Sequence, residues 1–356
     1  MKMIRRTDVA KGTGLLYKLI AILCALAASG VIIAIIGYSP LEVYKEMITG
    51  AVMTPYRIQK TITYAVPLVT LSLGIAAAFK MRFWNRGAEG QFYMGAFGAA
   101  YIALNFSHLG AGFVLPAMLI MGALMGALWL LIPAFFKVKF GTNETLMTLM
   151  LNFIATLWVS YLQYGPWKDP QGNGFPIIAR FDKTAQLPLV FGVQCGWILA
   201  LILVGAMYLL LGKSKLGYEI TVIGENETTA RYAGMNVWKT VIIASMISGA
   251  LCGLTGAMQA SAVEKSLSDK MSGGIGFTAI ITAYLAKLDP VKIVFSSLFF
   301  AVLIQGGNYL QSAMEIPAAV SEVIQGFVLL FVLGGEFFMD YKLVSAKTLE
   351  RKAESI

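Results

Sequence analysis

Residues 83–91 read Phe83-Trp84-Asn85-Arg86-Gly87-Ala88-Glu89-Gly90-Gln91, a polar cluster between two oily stretches. Upstream, residues 61–79 carry no Asp, Glu, Lys or Arg, and downstream residues 90–136 carry none either. A helix of ~20 apolar residues crosses the hydrocarbon core of a bilayer, so both flanks are of membrane length or longer. Amides, two charges and two glycines between such runs fit a helix that breaks and restarts, with Gly87 and Gly90 making the break. The polar side chains then cap the break or face something that is not lipid.

Composition agrees. The chain of 356 residues is 58% hydrophobic and only 13% charged, about half the charge of an ordinary soluble protein. Charge-free runs recur at 145–167, 184–212, 240–263, 271–286 and 293–314. The expected fold is all-α, a polytopic membrane protein of about ten transmembrane helices. These are placed near 18–37, 61–79, 86–105, 112–136, 144–164, 195–212, 239–262, 272–287, 291–311 and 317–339. The segment at 272–287 is short and opens with Ser272-Gly273-Gly274-Ile275-Gly276, which suits a half-helix whose break is made by Gly273 and Gly276. The alternating ten-residue segments of a membrane β-barrel are absent.

Basic residues set the orientation. Lys2, Arg5, Arg6 and Lys11 place a tail of residues 1–17 inside, and ten spans then place the tail of residues 342–356, with Lys347, Arg351 and Lys352, inside as well. The run after Arg6 is longer than the apolar core of a signal peptide, so it reads as an uncleaved first span. The net charge of +9 is thus mostly topological, and no basic soluble face suggests nucleic acid. Cys24, Cys195 and Cys252 are far apart in apolar runs, and His108 is the only histidine, so neither a disulfide nor a metal site is expected.

One transmembrane domain, 18–341, therefore carries two long loops. Residues 165–194 fall outside and are rich in Pro and Gly. Residues 213–237 fall inside and hold a short helical stretch from Asn226 to Tyr232, with Gly234 as its C-terminal stop. Gly212-Lys213-Ser214 imitates the end of a phosphate-binding loop, but Met207 stands where that loop needs Gly, so no ATP site is visible. Gly122/Gly126 and Gly249/Gly253 repeat at four-residue spacing and read as close helix packing. Glu322 and Gln325, one turn apart in the last span, should face protein or a cavity.

Asn85, Gly87, Ala88, Glu89, Gly90 and Gln91 resemble the F-N-I-G-x-E-G-Q signature of the permeases that serve ribose-type, branched-chain amino acid and nucleoside ABC importers. Gly141-Thr142-Asn143-Glu144, Thr148-Leu149-Met150-Leu151-Asn152, Gly165-Pro166-Trp167-Lys168-Asp169-Pro170 and Gly217-Tyr218-Glu219 are similar to the nucleoside or "simple sugar" branch. So are Ala230-Arg231-Tyr232-Ala233-Gly234 and Gly276-Phe277-Thr278-Ala279-Ile280. The match runs from about residue 60 to 341. Arg86 departs from it, standing where the family has Ile; snorkelling to the inner surface beside Lys80 and Arg82 accounts for it best.

The resemblance implies a type II-like importer permease in a bacterial cytoplasmic membrane, with an inverted repeat of spans two to five against seven to ten. It implies a chain that is not itself an enzyme and binds no cofactor, ATP being used by a cytoplasmic ABC ATPase subunit. It further implies a second permease subunit, homologous or identical, and an extracytoplasmic substrate-binding lipoprotein. Nucleosides are the first substrate class, with ribose or another simple sugar as alternative; an ion-coupled secondary transporter is the rival of a different class. Candidate path residues are Asn85, Glu89, Gln91, Asn152, Gln259 and Phe277. Glu219, Glu225, Thr228, Arg231, Tyr232 and Gly234 are the expected ATPase-coupling residues, and Trp167, Lys168 and Asp169 the expected receptor contacts. Each path residue also has a plain structural use: Glu89 as a cap on the helix that starts near Gly87, Asn152 as an interhelical hydrogen bond, Phe277 as core.

Overall fold

A computed structural model describes residues 2–5, 13–172 and 174–344. Residues 6–12 and 345–356 of the two expected tails, with Arg6, Lys11, Lys347, Arg351 and Lys352, lie outside the described residues. The chain divides into two compact units, Met1–Met53 with Val302–Ile356, and Thr54–Ala301.

In the first unit, α1 (Thr13–Ile36) turns by 112° into α2 (Pro40–Val52). Gly37 takes a left-handed φ of 103°, and Pro40 pre-sets the first turn of α2, where its missing N–H costs nothing. Tyr44 ties α2 back to α1 by donating to the Leu26 carbonyl at 2.6 Å. α13 (Ala318–Asp340) packs along α1, and the strands Lys2–Arg5 and Tyr341–Val344 pair antiparallel. Glu322, expected to face protein or a cavity, is exposed on α13. Residues 40–52, which fall in none of the expected spans, are helical because their apolar residues Val43 and Met47 recur at four-residue spacing and are buried.

The second unit is built on α3 (Pro55–Lys80) and α10 (Val237–Gln259, continued by a π turn at Ala260–Glu264). In the most apolar window of α3, 83% of residues are buried, against 22–28% for the windows of α5 (Ala111–Phe140), α6 (Glu144–Tyr164) and α7 (Gly196–Lys213). α3 is therefore an inner helix, and the other three present apolar faces outward, as lipid requires. Thr54 caps α3 by accepting from the Arg57 N–H, and Asn143 caps α6 by accepting from Thr145 and Leu146. Lys137 near the end of α5 pairs with Glu144 at the start of α6 at 2.9 Å.

α4 (Ala88–Asn105), α5 and α10 meet through glycines, as the four-residue spacing predicts. A Cβ at Gly126 would strike the Gly249 carbonyl, one at Gly253 the Gly122 carbonyl, and one at Gly95 the backbone of Gly253. Short polar links add to this contact: Thr255 donates to Thr70 at 2.7 Å, and Ser72 bonds Thr282 of α11 (Ile275–Leu285).

All ten expected spans coincide with helices, but only six of the described helices, α12 (Pro290–Met314) among them, are long and apolar enough to cross alone, or seven counting the bent pair α1–α2. α4 and α11 are not among the six, and their sequence shows why. α4 opens on Glu89-Gly90-Gln91, and α11 has only 11 residues.

Opposite ends of α3 mark the two ends of this unit, about 39 Å apart at 1.5 Å per residue. Near its start, Gln59 donates to the Phe191 carbonyl of the 165–194 segment at 3.1 Å. Near its finish, the Lys80 carbonyl lies against Gly224 of α8 (Lys215–Glu225).

Candidate functional site

Between α3 and α4 the chain runs without regular structure and buries Phe83 and Asn85. Irregular backbone inside an apolar unit needs a partner for each amide. Asn85 accepts from the Gly87 N–H at 3.0 Å and from Gln91 Nε2 at 2.7 Å, and donates to Ser248 of α10 at 3.1 Å. Asn152 of α6 holds both ends of the break: it donates to the Arg86 carbonyl and accepts from the Gly90 N–H, each at 2.8 Å. Thr148, one turn earlier, accepts from the Arg86 N–H at 3.2 Å.

This accounts for three expected path residues. Asn85 and Gln91 are 0% and 1% exposed; their side-chain amides bond each other, and Asn85 also accepts from the re-entering backbone at Gly87. Asn152 borders a cleft but is likewise engaged on both sides. Gln259 ends α10, away from the cleft, and its buried carbonyl oxygen has no partner among the described residues.

Glu89 is the pivot. It is buried as the second residue of α4, yet its carboxylate serves another helix. Ser272 donates to Oε1, and the Gly276 N–H of α11 donates to Oε2 at 2.8 Å. Glu89 therefore does not cap its own helix, as the sequence suggested, but accepts from the facing half-helix, 187 positions away in sequence. From this point α4 and α11 run apart. α4 ends by the 165–194 segment, where Tyr101 stacks on Trp167; α11 ends by the foot of α3, where Tyr284 meets Phe79 and Trp84. Two helix N-termini, each positive by its dipole, thus share one carboxylate.

The glycines divide by task. Gly87 starts α4, and Gly273 and Gly274, with φ of 55° and 78°, make the turn into α11. Gly90 and Gly276, expected to break helices, lie inside them. A Cβ at Gly90 would meet Asn152 at 2.9 Å, and one at Gly276 would collide with the Glu89 carboxylate, so both are close-approach residues.

A cleft of about 410 Å³ opens beside this junction, lined by Glu89, Tyr93, Asn152, Phe153, Asp269 and Phe277 among others. Phe277 is half exposed and Phe153 more so, both on its wall. Asp269 went unread in the sequence, where Ser268-Asp269-Lys270 looks like a plain connector. Structurally it is pinned from three sides. Ser160 donates to Oδ2 at 2.7 Å, the Asp269 N–H donates to Gln163 at 3.0 Å, and Tyr93 donates to the Asp269 carbonyl at 2.6 Å.

At the α8 end, Asn226 accepts from Thr228 and Thr229 and so starts α9 (Glu227–Tyr232), which Gly234 follows with φ of 76°. Ala230 is buried as the anchor, while Thr228, Arg231 and Tyr232 stand outward. Arg231 is held by Glu227 at 2.6 Å. Glu219 instead accepts from Thr240 at 2.8 Å, which fastens α8 to α10. Glu225, Arg231 and Gly234 border a cavity of about 1190 Å³ that also takes in Arg82, Lys137 and Trp238. Arg86 is exposed, two residues past Trp84 of the Trp84–Tyr284 stack.

At the other end, Trp167 is stacked on Phe97 with ring centroids 5.4 Å apart and is half-buried. Asp169 accepts from the Gln171 N–H, leaving Lys168 as the exposed member of the three expected receptor contacts.

A family profile described as "Branched-chain amino acid transport system / permease component" matches residues 57–333. Among curated relatives, a glucose ABC transporter permease of Haloferax volcanii is 34% identical, covering 91% of this chain and 88% of its own. A guanosine ABC transporter permease of Bacillus subtilis is 30% identical over 89% of this chain and 92% of its own. A nucleoside ABC transporter permease of Lactococcus lactis is 27% identical over 94% of both.

Proposed function

The chain belongs to the permease-component family of branched-chain amino acid transport systems, and on that premise we propose that it forms the membrane path of an ATP-driven importer of nucleosides. The observation that carries the reading is the junction at Glu89. Two half-helices begin inside the unit, face each other across one carboxylate and open on a cleft with exposed rings, the arrangement by which broken helices present their ends to a substrate. A volume of about 410 Å³ falls in the range of small-molecule sites, roughly 300–1,000 Å³. Phe153 and Phe277 offer flat apolar faces to a base.

Energy comes from a separate ATPase subunit on the cytoplasmic side, docked on α9 and the neighbouring cavity. α9 suits this because its outward residues are free of the core while α8 is fixed to α10 through Glu219. A substrate-binding lipoprotein delivers from the other face, the end marked by residues 165–194, and a second permease subunit completes the pore. Both termini are cytoplasmic, in a bacterial inner membrane. ATP binding and hydrolysis move α9, and the half-helices α4 and α11 part and close about Glu89 in alternating access.

The relative from Haloferax volcanii supports a second reading, a sugar in place of a nucleoside. Proteoliposomes holding this permease with its ATPase, partner permease and receptor separate the readings. The first requires ATP-dependent uptake of labelled guanosine but not of labelled glucose. Uptake that persists without the ATPase subunit refutes the importer reading and favours an ion-coupled transporter.

A further inference from the structure

We infer that Asp269 is the substrate-hydroxyl acceptor of the Glu89 cleft, taking the 2′- and 3′-hydroxyls of a ribose while the base lies against Phe277 and Phe153. The inference rests on the nucleoside reading and adds to it a selection for ribonucleosides over 2′-deoxyribonucleosides.

The geometry singles out this residue. Asp269 belongs to the segment before α11, where no helix would fix it. Yet α4 and α6 spend three polar side chains on it. Tyr93 and Gln163 are buried, and Ser160 is half-buried. Together they fix its carbonyl, its N–H and one carboxylate oxygen. Oδ1 accepts no hydrogen bond among the described residues, and the residue borders the cleft. Holding a carboxylate in one orientation with one oxygen free is the preparation a recognition group needs.

The chemistry of the free oxygen narrows the ligand. An ionised carboxylate only accepts, so it favours a ligand that presents hydroxyl donors. Adjacent hydroxyls on a furanose can both reach a carboxylate, as an acidic side chain does with ribose in dinucleotide sites. The rings of Phe153 on α6 and Phe277 on α11 belong to the same wall, so a base and a diol can be satisfied in one pose. A 2′-deoxy analogue leaves one donor missing at a fixed, partly dehydrated acceptor, and sites built on such a bond reject the analogue strongly.

The test uses the complete importer in proteoliposomes. The receptor is loaded with guanosine or with 2′-deoxyguanosine, its own affinity for each is measured separately, and uptake is expressed per loaded receptor. A lost hydrogen bond to a charged group is worth about tenfold or more, so the wild-type importer should carry guanosine about tenfold more efficiently. Asp269→Asn should lower uptake of guanosine more than that of deoxyguanosine, which keeps only its 3′-hydroxyl at this residue, and so bring the two rates together. Ser160→Ala, which loosens the carboxylate without removing it, should give an intermediate ratio. Equal wild-type rates for the two nucleosides overturn the inference while leaving nucleoside import intact. So does an Asp269→Asn variant that melts as wild type but slows both substrates equally. Absence of ATP-dependent uptake of either nucleoside refutes the nucleoside reading, and the role of Asp269 with it.

Discussion

Replacing Asn152 by Leu should destabilise the second unit without opening a cavity, since the two side chains share the same branched skeleton of four heavy atoms. Asn152 makes two hydrogen bonds, each 2.8 Å long, to backbone groups on either side of the α3–α4 break. Leu leaves the Gly90 N–H and the Arg86 carbonyl without those partners. A buried backbone group left unsatisfied costs about 1–3 kcal/mol, so the pair costs about 2–6 kcal/mol. Double-mutant cycles within membranes give a lower figure, ~0.6 kcal/mol per bond, and so a floor near 1 kcal/mol. One kcal/mol moves Tm by roughly 2–4 °C in domains of 150–250 residues, so a fall of at least about 2–4 °C is expected, and more if the larger figure holds. The assay is thermal unfolding of the purified permease in detergent, followed by tryptophan fluorescence. Thr156→Val, one turn along α6, serves as control, because Thr156 only returns a bond to the Asn152 carbonyl of its own helix. An Asn152→Leu protein that melts within a degree of wild type would refute the claim that this amide holds the re-entering chain.

Three further outcomes follow from the same contacts. Glu89→Gln should fold, since an amide oxygen still accepts from Gly276, but should import more slowly than wild type; Glu89→Ala, losing both bonds, should show the greater drop in Tm. Gly126→Val should reduce yield and stability sharply in a detergent-extraction assay, because the added side chain meets the Gly249 carbonyl and the Gly253 backbone, neither of which can move aside. Arg231→Ala combined with Tyr232→Ala should leave Tm unchanged, both residues being exposed, yet uncouple ATP hydrolysis from uptake; normal coupling in that variant would remove the docking role of α9.

The helices were legible because lipid and an apolar core leave the same mark, long runs without charge. α2 escaped that reading. Pro40–Val52 carries Glu42, Lys45 and Glu46 on one side, and its buried side is a short four-residue repeat. The motif at Phe83–Gln91 was legible as a break but not as a division of labour. Nothing in the sequence tells an amide that faces substrate from one that holds the fold: Asn85 and Asn152 bond backbone at the break, and Gln91 bonds the Asn85 side chain. Glu89 shows the same limit at long range: its partner Gly276 is settled by how α4 meets α11. Gly90 and Gly276 read as helix-breaking glycines because a glycine at close approach has the same letter as a glycine in a turn. Their task depends on what stands opposite, Asn152 in one case and Glu89 in the other. Asp269 was invisible for the reverse reason. Its importance lies in Tyr93, Ser160 and Gln163 converging on it from two helices. Trp167, expected as a receptor contact, has its ring committed to Phe97 and Tyr101.

The most direct test of the path is chemical protection at the Glu89 cleft during transport. In an importer whose permease has Cys24, Cys195 and Cys252 replaced, Phe277→Cys places a reactive thiol on the cleft wall. If substrate passes there, guanosine-loaded receptor with ATP should slow alkylation of that thiol, and prior alkylation with a bulky maleimide should block uptake. Alkylation at an unchanged rate during transport, with full uptake by the modified protein, would contradict the account.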